Sequence, residues 1–185
     1  MIPASTMAPD LLLELTGRYL EPHRHYHGIA HIAAMLAAGR AFPLDPAQTM
    51  AVWFHDAVYD PRSKTNEEDS ADLARSRLLA GGWPVADCER VAAIVLDTKR
   101  HMPSRDESAA VLDLDLMSLA LPWPEFAANT AAIRREYAHV PDADFAAGRA
   151  AFFATMLQRE RLYFTSWGAK LEASARANLR RAANG

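Results

Sequence analysis

Residues 91–101 read VAAIVLDTKRH, and the conformation of the first six decides the fold. An apolar run this short fits a buried strand or a buried stretch of helix, and periodicity alone does not separate them. The flanking residues do, because VADCER before the run and DTKR after it continue a helical pattern. The segment therefore predicts a helix over about 85–100. It is the best strand candidate in the chain. Elsewhere alanine is very common, β-branched runs are nearly absent, and apolar residues recur at three- and four-residue spacing. The expected fold class is all-α.

Working outward, Asp10 can N-cap a helix to about Leu20, and a second covers about 25–39, ending near Gly39. Asp45-Pro46 supplies an N-cap and first-turn proline for a third, reaching about Tyr59. The loop DPRSKTN follows. Asn66, with Glu67 and Glu68 behind it, opens a fourth helix that stops at Gly81-Gly82. Further helices fit about 106–120, 123–139, 142–164 and 168–182. No repeat or linker divides the chain. The expectation is one compact bundle of about eight or nine helices spanning 1–185, fraying at its termini.

Of the 185 residues, 50% are hydrophobic and 23% charged, an ordinary globular balance. A net charge of −3 gives no reason to expect a nucleic-acid polymer as partner. The single cysteine, Cys88, cannot form an internal disulfide and lies between Asp87 and Glu89, which disfavour a thiolate. It reads as structural, in a reducing compartment. MIPASTMAPDLLLEL has no basic start and no long apolar run, so neither a signal peptide nor a membrane span is expected. The expected location is the cytoplasm.

The anomaly is the histidines. PHRHYHGIAH carries His23, His25, His27 and His31, four of the seven. On a helix His27 and His31 would share a face. AVWFHDAVYD places His55 beside Asp56, although neighbours on a helix point about 100° apart. His101 closes VAAIVLDTKRH, and AAVLDLDLMSLA sets Asp113 and Asp115 inside an apolar run. Each alone has an ordinary explanation, such as a hydrogen-bonded core histidine or, for Asp113, an N-cap. Together they need partners, because an ionised carboxylate away from water is costly. One divalent ion would satisfy several of them, and imidazole and carboxylate suit Zn, Mn, Fe, Co and Ni. His55 and Asp56 can share an ion lying between their two directions at a helix end. Another helix then supplies the remaining ligands.

The ordered set RHYHGIAHI, WFHDAVYD, NEEDSA, TKRH, DLDL, REY and GR, over about residues 18–180, resembles the HD-domain superfamily. The closer match is to a bacterial family of predicted metal-dependent HD phosphohydrolases. The resemblance implies one divalent ion (Mn, Fe, Co, Ni, Zn or Mg) held by His31, His55, Asp56 and Asp115. Asp115 is preferred to Asp113 because it lies deeper in the apolar run. His27 and His101 are candidates for contacts behind the ligands, for contacts with substrate, or for ligands to a second ion. With only His101 between the doublet and the last aspartate, a two-metal site is not expected.

Phosphate-ester hydrolysis also needs cations and a proton donor or acceptor. Arg24, Arg62, Lys64, Lys99 and Arg100 are the candidate cations. Glu67 is the candidate acid–base residue, with Asp56 serving in catalysis as well as ligation; Glu68 is expected to point elsewhere. Trp53 and Phe54 should pack the core, Glu172 and Arg176 should pair, and Gly148 suggests close helix packing or a substrate-facing Arg149. The late aromatics, Phe152 to Trp167, suit a core, or else a homodimer surface. The implied function is metal-dependent hydrolysis of a small phosphorylated metabolite, a nucleotide by the superfamily's habit. The alternative is a metal-containing ligand-binding module with little turnover.

Overall fold

In the computed structural model, residues 7–41 and 43–184 are described. They form nine α-helices and no strand. These are α1 (Pro9–Tyr19), α2 (Ile29–Ala38), α3 (Pro46–Phe54), α4 (Asn66–Ala80), α5 (Val85–Thr98), α6 (Ala109–Asp115), α7 (Trp123–Glu136), α8 (Asp142–Gln158) and α9 (Glu172–Asn184). The chain forms two compact units that divide between Leu112 and Asp113, inside α6 rather than at a linker.

In the first unit α5 packs on α3 and α4. The run at 91–96 is helix, with Val91, Ala92, Ile94 and Val95 fully buried alongside Leu15, Ile32, Met35, Phe54 and Leu78. Burial of each large aliphatic side chain contributes about 1.5–3 kcal/mol. Cys88 is buried, and that burial pushes its thiol up, in keeping with a structural role. Phe54 is core as expected, whereas Trp53 is only half-buried and its carbonyl accepts from the Tyr19 hydroxyl at 3.0 Å.

The second unit has its own core of Leu116, Leu119, Phe126, Phe153, Met156 and Tyr163, among others. Glu172 and Arg176 do pair, at 2.6 Å. They also organise the loop after α8: Glu172 accepts the Leu162 amide, and Arg176 donates to the Leu157, Arg159 and Glu160 carbonyls.

Several helix ends differ from the sequence expectation. Asp45 caps α3 as predicted, in a reciprocal box with Gln48. Asp10, however, lies inside the first turn of α1. Asn66 opens α4 as expected, and its side chain bonds both backbone groups of Asp60. α2 starts at Ile29 after Gly28, so His25 and His27 precede it and the proposed shared face of His27 and His31 does not form. α3 stops at Phe54, not Tyr59, and α8 stops at Gln158, where the loop held by Arg176 begins. The segment 106–120 is α6 flanked by 3₁₀ turns. α4 ends as expected: Gly82 sits at φ 79°, a left-handed conformation that glycine adopts without a Cβ penalty.

Candidate metal centre

The early end of α3 is what brings His55 and Asp56 together. His55 keeps helical angles and donates its amide to the Ala51 carbonyl, but the chain then turns, and the Ala57 amide bonds the Phe54 carbonyl at 3.0 Å. Asp56 is thereby released from the 100° helical step and folds back toward its neighbour. His31, in the first turn of α2, completes the group. One ligand atom from each of His31, His55 and Asp56 lies within 4.8 Å of the other two. The imidazole centroids of His31 and His55 are 5.4 Å apart. Both histidines are buried, while the Asp56 side chain keeps 16% of its exposure and gives the group an edge toward solvent.

The chemistry of this donor set fits a cation. His55 Nδ1 lies 2.9 Å from the Val52 carbonyl, which fixes the proton on that nitrogen. In the neutral ring Nε2 then presents a lone pair to Asp56 Oδ2, 3.1 Å away. Two acceptors at that distance repel unless a proton or a cation lies between them. A nitrogen-and-oxygen set of this kind suits a divalent transition ion.

Behind the group sits Arg24, whose side chain is 1% exposed. Its guanidinium donates to the Asp56 carbonyl at 2.6 Å, the Ala57 carbonyl at 3.2 Å, the His27 carbonyl at 3.1 Å and Glu21 Oε2 at 2.9 Å. The Tyr19 and Tyr59 rings flank it, with centroids 5.2 and 5.4 Å away. Arg24 is thus a support for backbone rather than a cation turned to substrate. Tyr26 and Tyr59 were not picked out from the sequence, yet both belong to this neighbourhood. The Tyr26 ring lies 5.2 Å from His31, and His27 packs 4.5 Å from Tyr59. Their presence inside the two histidine-bearing motifs was the available signal.

The Lys99 and glutamate candidates meet at the start of α4. Lys99 Nζ reaches the two oxygens of Glu68 at 2.5 and 2.7 Å, the Lys64 carbonyl at 2.7 Å and Glu67 at 3.7 Å. The bond to Lys99 holds the Glu68 carboxyl below its ordinary value. Glu68, expected to point elsewhere, therefore joins α4 to α5, and Lys99 is engaged by both glutamates. Arg62, Lys64 and Arg100 are exposed. His101 occupies the left-handed position after α5, at φ 46°, where glycine is the usual residue. Its amide bonds the Thr98 carbonyl and the next amide bonds Asp97, closing that helix end.

Asp113 and Asp115 separate clearly. Asp113 is not the N-cap of a following helix, because α6 runs on through Asp115. It is fully buried and accepts from the Phe164 amide at 2.8 Å, the Thr165 amide at 2.8 Å and the Thr165 hydroxyl at 2.7 Å. Burial raises its carboxyl above the ordinary range against the pull of these bonds. A Cβ on Gly168 would run into that carboxylate and come within 2.7 Å of Tyr163 Cβ, so glycine is required there. Both Asp113 oxygens are thus committed to the loop before α9. Asp115 ends α6, half-buried, in the second unit.

Arg134, Gly148 and Arg149 lie in the second unit. Arg134 donates to the Tyr137 and Val140 carbonyls and to Asp142, fixing the turn between α7 and α8. A Cβ on Gly148 would meet nothing within 4 Å, so close packing is not its reason for being there. Arg149 lies over the Phe152 and Phe153 rings. No helix among the described residues is long and apolar enough to cross a membrane. No family model, curated protein or solved structure compared with the chain matches it.

Proposed function

We propose that this protein is a metal-dependent phosphohydrolase acting on a small phosphorylated metabolite, a nucleotide in the first instance. The observation that carries the reading is the convergence of His31, His55 and Asp56, with His55 oriented by the Val52 carbonyl and its Nε2 facing the Asp56 carboxylate. Phosphate as the target rests on the sequence resemblance. When bound, a divalent ion supplies a Lewis acid for a phosphoryl oxygen and acidifies the water it holds. The chain's own part is to fix the donors. His55 is locked by its backbone bond, His31 is set by the first turn of α2, and Asp56 is set by the turn after α3. Glu67, on the first turn of α4, is the proposed proton acceptor, held near Lys99.

One observation favours the ligand-binding alternative: Arg24 and Lys99, two of the cations assigned to phosphate, are engaged by protein groups. A single assay separates the readings. Protein loaded with Mn, Co, Ni or Mg is incubated with nucleoside mono-, di- and triphosphates and sugar phosphates. The proposal predicts phosphate release that Asp56→Ala abolishes. Saturable nucleotide binding with no release from any compound contradicts hydrolysis and supports the binding module.

A further inference from the structure

We infer that Arg24 is the positioning residue of the metal group, setting the affinity and geometry with which His31, His55 and Asp56 hold an ion. The inference rests on the metal reading above. Arg24 belongs to the turn between α1 and α2, and its bonds join two stretches of backbone distant in sequence. One stretch is the entry to α2, through the His27 carbonyl, four residues before His31. The other is the turn after α3, through the Asp56 and Ala57 carbonyls. The ligands therefore come from two segments, and one guanidinium ties both.

The residue type follows from the task. Three carbonyls and a carboxylate are met by one planar fork, which a lysine ammonium cannot reproduce. Carbonyls beyond a helix C-terminus lack intrahelical donors, and that end of the helix dipole favours a cation. Burying a guanidinium is costly unless its donors are used. Here Glu21 is an acidic partner whose side chain is 39% exposed, and three further bonds go to peptide carbonyls. A charge buried to hold the backbone around a donor group acts as the partners behind metal ligands do, whose loss typically costs 10–100-fold in affinity.

The test is cobalt(II) titration of the full-length wild-type protein, Arg24→Lys, Glu21→Gln and Arg77→Gln, followed by calorimetry and by the cobalt absorption spectrum. Arg77→Gln is the control: it breaks an ion pair with Glu14, a contact in the same unit that involves none of the three ligands. Glu21→Gln loosens one anchor at a half-exposed position, and so remains informative if Arg24→Lys does not fold. The expected result is an affinity loss of about tenfold or more for Arg24→Lys, a smaller loss for Glu21→Gln, a changed cobalt spectrum in both, and wild-type behaviour for Arg77→Gln. Wild-type affinity and spectrum in folded Arg24→Lys overturn the inference and leave the metal reading standing. If Arg24→Lys does not fold, wild-type behaviour of Glu21→Gln does the same. No cobalt binding by the wild type overturns both.

Discussion

Asp45 accepts the Gln48 amide at 2.9 Å to cap α3 and meets Arg90 at 2.6 Å. Burial alone would raise its carboxyl, but the Gln48 amide and Arg90 outweigh that and hold it below its ordinary 3.8. The sign follows. With the folded value lowered, the stabilisation is fully present above the unfolded value and is lost as pH falls through the folded one. Asp45→Ala should cost about 1–2 kcal/mol in urea unfolding near neutrality. Asp45→Asn should cost less, since an amide still caps, and its deficit should shrink on acidification below about pH 4. A deficit unchanged between pH 7 and pH 2 contradicts this account. The cap was legible in the sequence because its partners are three residues apart. Asp113 was not, because its donors lie 51 and 52 residues away and only the folded chain delivers them. Arg24 hid for the same reason, reading as a candidate cation for substrate until the Asp56 and Ala57 carbonyls met it.

At the scale of elements, the apolar period located all the helices, and what it missed were their ends. The histidine spacing extended α2 back to residue 25. There the backbone instead turns, the Gly28 amide bonding Tyr26, with the Arg24 side chain taking the His27 carbonyl. α3 was overrun by five residues because AVYD continues an apolar pattern with no glycine or proline to interrupt it. Gly148 makes a clean test at this scale. It is exposed in the interior of α8, with open space where a Cβ would stand. Gly148→Ala should raise stability by about 0.4–1 kcal/mol, read as a higher urea midpoint with unchanged slope. A loss of stability would mean that α8 tolerates no Cβ there, and that the packing explanation was right after all.

Across the whole molecule, the all-α class was readable from composition and spacing. His55 and Asp56 were readable because an imidazole and a carboxylate beside an apolar run demand partners, whereas His31 was singled out by the resemblance. The manner of their meeting was not. It needs α3 to end one residue before His55, α2 to begin two residues before His31, and a buried arginine to tie the two ends. The Lys99–Glu68 pair also escaped, since it joins the start of α4 to the end of α5 across 31 residues.

The central claim is that these three side chains hold a divalent ion. The most direct measurement is elemental mass spectrometry of the purified full-length protein and of Asp56→Ala, after each has been offered Mn, Fe, Co, Ni and Zn and desalted. Circular dichroism accompanies it as the folding check. The Asp56 side chain can be removed without touching the carbonyl that Arg24 holds, so the variant should fold. The account predicts about one ion per chain in the wild type and its loss in the folded variant. A wild type that retains no ion, or a folded Asp56→Ala that retains as much, contradicts it.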